Sequence, residues 1–335
     1  MPGIRRSTLL LLLAGAIWAP GELRAGGEPA TLKLVQTIPL KGAAGRLDHL
    51  ALDAKQHRLF IANLSNNSLD VVDLKAGKLV RQVANQQKIQ GVVYVSHLNR
   101  LFAGNGVDGV CNVFSGEDYT LLKSIKLPDA DNVRYDAVKD LIYVAHAEKS
   151  LSVIDPKTGA VNATIKLPGP PEAFQIDSEQ GRIYVNTHDP AQVAVVDARK
   201  NEVVAVYPIK LASANYPMAL DAKNDRIFIG CRKPAKVAVM QAKTGKELAG
   251  IDIPADVDDL FFDARRQRLY ASCGEGYLTV IQQKDGDRFE IIEKIAMPKL
   301  TRTCLFDAAS DRLFVPVPRQ VGQDGPSLRI YQPKD

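Results

Sequence analysis

The groups able to do chemistry in this sequence are carboxylates and imidazoles rather than an activated nucleophile. Asp48 stands beside His49, Asp131 beside Asn132, and Asp258 beside Asp259, with Glu172 as a further isolated acid. Such sets could hold a cation, ligate a divalent metal ion, or pass a proton between neighbouring acid and base. No G-x-S-x-G elbow and no C-x-x-C pair occurs. Gly104 to Gly109 matches G-x-G-x-x-G, but it falls in a strand-to-strand loop with no following helix to receive a pyrophosphate, so no nucleotide is expected. Asp129 to Asn132 opens like a calcium loop and then lacks the later Gly and Glu of an EF-hand.

A repeat must position these groups. Arg58-Leu59-Phe60 returns as Arg100-Leu101-Phe102, Leu141-Ile142-Tyr143, Arg182-Ile183-Tyr184, Arg226-Ile227-Phe228, Arg268-Leu269-Tyr270 and Arg312-Leu313-Phe314. Aligned on the aliphatic residue, Asp53, Val95, Asp136, Asp177, Asp221, Asp263 and Asp307 form one column, spaced 41 to 44 residues apart. Each unit carries four strand-like pieces separated by turn residues, which is the pattern of a propeller blade. The fold class expected is therefore all-β, a seven-bladed β-propeller of four-stranded antiparallel blades in one domain over residues 26–335. The last copy stops after Leu328 to Tyr331, one strand short. Leu32 to Ile38 has the outer-strand pattern and is expected to complete that blade, removing an exposed sheet edge.

The phrase Arg-Leu-Phe-Ile-Ala-Asn, followed by an apolar run to Val-Val-Asp and then Gly-Lys, resembles the secreted YncE-like or YVTN-repeat β-propellers. The resemblance spans essentially the whole chain after the leader. It implies the fold, and it leaves function open among binding proteins, surface-layer components and, in more distant groups, lactonases and lyases.

In a propeller the start of the innermost strand and the end of the second strand share the face that surrounds the channel mouth. The first position supplies Asp48, Gln90, Asp131, Glu172, Tyr216, Asp258 and Arg302, and the next adds His49, Asn132 and Asp259. The strand-two ends bring His146, with His188, Arg232 and Glu275 nearby. Carboxylates crowded at a narrow mouth repel one another, and a bound cation, Arg302, Arg134 or Arg232 could relieve this. The mouth is thus expected to bind a small polar or cationic ligand or a protein partner. The plainer alternative is that these acids only satisfy backbone N–H groups or stay solvated. Asp48, His49, Asp131, Glu172 and Asp258 are the candidate ligands for a divalent metal ion, with no i, i+4 histidine pair to strengthen that reading. The column Asp residues, by contrast, are expected to accept from turn amides and to sit by the Arg before strand two. His57, His97, Lys55, Lys139, Lys223, Arg265 and Arg266 belong to the opposite, more basic face.

Cys231 and Cys273 take matching places in neighbouring blades, where a sheet spacing of about 10 Å exceeds the Cα separation of about 7 Å that a disulfide tolerates. Cys111 and Cys304 read as small buried apolar residues, with a Cys273–Cys304 link as the alternative.

The N-terminus reads as a cleaved secretory signal over residues 1–25: Arg5 and Arg6, an apolar run from Leu9 to Trp18, and a small-residue exit at Ala25. General secretion fits better than twin-arginine export, because Ser7-Thr8 lacks the usual aromatic. A periplasmic or extracellular location is expected, with no transmembrane helix after the signal. Net charge falls from +5 in the whole chain to +3 once Arg5, Arg6, Arg24 and Glu22 are removed, with no long basic run, so nucleic acid is not an expected partner. The single Trp, Trp18, leaves with the signal, which removes the ring that a quinone-dependent propeller would stack on its cofactor. Two functions compete: a non-enzymatic binding or scaffold propeller, and a metal-assisted hydrolase or lyase acting on a lactone-type substrate.

Overall fold

A computed structural model describes Gly3 and residues 30–335. The expected signal segment, Gly3 apart, lies outside the described residues. Residues 31–335 form seven four-stranded antiparallel sheets, each blade built from consecutive strands except the last. That last sheet takes Leu32–Pro39 as its outer strand, paired antiparallel with Ser327–Pro333 in a register that sets Ile38 opposite Leu328. Sequence and structure therefore agree on the seven blades and on the clasp.

The strand pattern follows from how blades stack. Second strands such as Arg58–Asn63 and Arg268–Cys273 are buried from their second residue onward, because they are covered by a neighbouring sheet on both faces. Fourth strands such as Leu121–Lys126 lie on the rim and stay mostly exposed. Seven apolar clusters fill the structure, one between each pair of neighbouring blades. The aromatic of each repeat anchors them: Phe60, Phe102, Tyr143, Tyr184, Phe228, Tyr270 and Phe314 are all buried.

The column Asp residues are structural. Asp53, Asp136, Asp177, Asp221, Asp263 and Asp307 each accept one or more backbone N–H bonds from the turn that follows. Each of those turns, and the one after Val95 in blade 2, then places one residue in the left-handed region just before strand two: His57, Asn99, Asp140, Gly181, Asp225, Gln267 and Asp311. Among the described residues, the column Asp pairs with the Arg that opens strand two in blade 1 alone, where Arg58 Nη2 is 2.8 Å from Asp53, while in blade 6 Asp263 pairs with Arg266 of the turn at 2.9 Å. Elsewhere the long guanidinium arm finds other acceptors, as when Arg182 pairs with Asp197 and Arg226 with Asp287. Among the described residues, no helix is long and apolar enough to cross a membrane.

Candidate functional site

A recurrent irregularity aims the mouth residues. In blade 1, Asp48 N–H donates to the Ala62 carbonyl at 2.7 Å and Ala62 N–H donates to the His49 carbonyl at 3.0 Å, so two residues oppose one. Blade 3 repeats this with Asp131 and Asn132 opposite Ala145, at 3.0 and 2.9 Å. The ladders of blades 2, 4, 5 and 6 slip at the same level, around Gln90, Glu172, Tyr216 and Asp258. A bulge bends the strand and redirects side chains, which is why neighbours such as Asp48 and His49 both reach the channel instead of pointing to opposite faces.

The result is a cavity of about 310 Å³ lined by Asp48, His49, Gln90, Asp131, Asn132, Glu172, Tyr216, Arg232, Asp258 and Arg302, together with Arg46, Lys88, Asp129 and Ala173. It is less uniformly acidic than the column of acids suggests, because arginines gather on one side. Arg302 Nε lies 2.8 Å from Asp258, and its Nη1 donates to Asp256 at 2.9 Å. Arg232 Nη2 lies 2.5 Å from Asp258, and its guanidinium sits 3.8 Å from the Tyr216 ring centroid. Arg46 reaches Asp48 at 2.8 Å and Asp258 at 3.5 Å. Burial and the Asp48 charge still hold the Asp258 carboxyl above its usual range against those three arginines.

Asp131 and Glu172 lie on the other side without an arginine of their own. Asp131 has only a long contact to the Asn132 amide at 3.5 Å, and Glu172 has His188 Nε2 at 3.5 Å. Burial, then the Asp48 charge and, less strongly, Asp258, push Asp131 up to about 7. Burial, then Asp131 and Asp258, push Glu172 up to about 8. Asp131 is brought this close by a glycine: a Cβ on Gly91 of the preceding blade would lie 1.9 Å from the Asp131 carbonyl oxygen. His188 does not line the cavity but stacks on Tyr216, with ring centroids 5.8 Å apart at 10°. Glu172, His188, Tyr216, Arg232 and Asp258 therefore form one connected series across blades 4 to 6.

Beneath the mouth the channel opens into a chamber of about 370 Å³, with His49 and Asn132 lining both spaces. At this boundary His49 Nδ1 lies 3.3 Å from the Asp259 carboxylate, which also accepts the Cys304 N–H at 3.0 Å. Burial disfavours the imidazolium, but the charge and hydrogen bond of Asp259 outweigh it and push His49 up to about 10. Arg134 lines the chamber and not the mouth. It does not reach the mouth acids because it lies one pleat deeper on the inner strand Val133–Asp136.

Other expected residues are engaged elsewhere. His146 is buried, with Nε2 3.0 Å from Ser152 Oγ on the neighbouring strand. The Glu275 carboxylate accepts the Ala255 N–H at 2.6 Å. All four cysteines are buried and free. Arg46, Lys88 and Asp129 line the mouth but lie outside the expected columns, and Asp256 joins them indirectly by pairing with Arg302 and Arg232. Arg46, Lys88, Asp129 and Asp256 each lie two residues ahead of the first mouth position, in the links that enter blades 1, 2, 3 and 6.

The expected metal ligands fit an ion poorly. Asp48 and Asp258 are held by arginines and His49 by Asp259, and among the described residues no three His, Cys, Asp or Glu side chains are placed to hold a metal.

No protein-family model matches the sequence, and no curated protein matches it. Among solved structures the chain is similar to Kuenenia stuttgartiensis hydrazine synthase, with a TM-score of 0.72 at 14% identity over 83% of this chain and 94% of that one. At that identity the likeness speaks for the propeller fold alone.

Proposed function

We propose that this chain is an exported, YncE-like binding propeller that takes a small cationic ligand at the channel mouth. The observation that carries the reading is the asymmetry of the mouth: three arginines pair with Asp48 and Asp258, whereas Asp131 and Glu172 face the same cavity with no arginine within ion-pair distance and with raised pKa values. Two neighbouring acids that resist ionising together gain when a cation enters between them. Bulge-positioned side chains on stiff inner strands suit selective binding, since little ordering is left to oppose association. Export rests on the N-terminal segment, and family membership on the repeat phrase.

A thermal shift titration with 1,4-diaminobutane and with choline at pH 7.5 tests the proposal. Saturable stabilisation of the wild-type chain that is lost in the Asp131→Asn, Glu172→Gln double variant supports it. Equal shifts in the variant, or none in the wild type, would refute it. The metal-assisted hydrolase reading draws no comparable support, because Asp48 and Asp258 are paired with arginines and His49 with Asp259, which leaves two of its five candidate ligands, Asp131 and Glu172.

A further inference from the structure

We propose that the chamber beneath the mouth is a second binding site, which takes a small carboxylate on the guanidinium of Arg134. Arg134 Nε is buried with no hydrogen-bond partner among the described residues. The carboxylate whose charge reaches it, Asp259, is already held by His49 and by the Cys304 N–H. Within that pair the positive and negative charges cancel, so Arg134 is the uncompensated charge of the chamber.

A guanidinium has five donors and no acceptor, and a planar carboxylate is the group that matches its fork with two parallel bonds. Leaving such a cation inside a protein without an acceptor is costly, so an anion that reaches it gains more than it would at the surface. The arm is also held in place. Its Cζ lies 5.6 Å from the centroid of Phe174, a fully buried ring on the next blade. Leu50, Val92, Val133 and Ile176 supply apolar walls for a short alkyl group. A concave space with apolar walls and a few convergent polar groups is the usual build of a small-molecule site. The chamber and the mouth thus have opposite preferences, an anion below and a cation above.

The test is calorimetric titration of the full chain with sodium formate and sodium acetate against sodium chloride at matched ionic strength. Saturable carboxylate binding is expected in the wild type. It should weaken at least tenfold in Arg134→Gln, and less in Arg134→Lys, which keeps the charge but loses the fork. It should persist in the Asp131→Asn, Glu172→Gln variant, whose lesion is confined to the mouth. Acetate binding unchanged in Arg134→Gln, or a wild-type response no different from chloride, would overturn the proposal. A second readout needs no variant: at saturating acetate, nuclear Overhauser transfer from the Val133 or Ile176 methyls, which line the chamber, to the acetate methyl is expected. Its absence would also overturn the proposal.

Discussion

His49 of blade 1 lies 3.3 Å from Asp259 of blade 6, reaching past blade 7, whose Cys304 N–H donates to the same carboxylate at 3.0 Å. Blade 7 has the shortest inner strand, Leu305–Asp307, so this three-blade contact closes the channel wall where the ladder is thinnest. Thr303 Oγ1, which donates to the Leu47 carbonyl at 3.2 Å, ties the same seam. The ring is thus fastened twice, on the rim by the clasp strand and at the channel by a charged pair.

His49→Gln should therefore destabilise the fold by about 3 kcal/mol near pH 6, the scale for removing one partner of a buried ion pair. The pH dependence has a definite sign. With the folded-state value raised to about 10, the pair's contribution is complete below the ordinary histidine value and is lost as pH rises through 10. Chemical denaturation at pH 6 and at pH 10.5 checks this, and a gap between wild type and variant that does not narrow at the higher pH would contradict it.

The clasp makes a separate claim about the rim. Ile38 is fully buried against Leu328 and Leu59 in the cluster between blades 7 and 1. Ile38→Asp would bury an unpaired charge there and leave an open sheet edge. A loss of about 4 kcal/mol is expected, together with self-association detectable by light scattering. A monodisperse variant of wild-type stability would show that the strand is dispensable.

Glu172 carries the same sign of linkage as His49 for a different reason, since burial and neighbouring acids favour its neutral form. Its folded-state value is raised to about 8, so the stability tied to its neutral form is present below the ordinary Glu value and is lost as pH rises through 8. Glu172→Gln, which stays neutral, should melt about 3 °C higher than wild type at pH 9 and close to it at pH 4. Parallel melting curves across that range would mean that the carboxyl ionises normally.

Gly91→Ala probes how Asp131 is positioned. The added Cβ would meet the Asp131 carbonyl at 1.9 Å, a backbone atom that cannot swing aside. A destabilisation of about 2 kcal/mol is expected from the overpacking, with weaker 1,4-diaminobutane binding than its stability loss alone would produce. Unchanged affinity would separate Gly91 from the site.

Much of this was legible in the residues themselves. The seven Arg-aliphatic-aromatic phrases report the buried second strands, and the strand missing after Tyr331 points to Leu32–Pro39, because both depend on local pattern and on closing a sheet. The mouth was legible as a column for the same reason. What the repeat could not carry was pairing between blades. Arg46 bridges Asp48 and Asp258 from the link two residues ahead of the mouth column, and Arg134 lies one pleat too deep to meet the acids it was expected to relieve. Nor does alternation foretell that Asp48 and His49 share the channel, since a bulge breaks the two-residue period at that level.

The most direct test of a cation site at Asp131 and Glu172 is calorimetry of 1,4-diaminobutane binding at pH 7.5 in two buffers of different ionisation enthalpy. Entry of the cation should ionise both carboxyls and release up to about one proton, with affinity rising from pH 6 to pH 9 and binding lost in the Asp131→Asn, Glu172→Gln variant. Binding without proton release, or with equal affinity in that variant, would contradict the account.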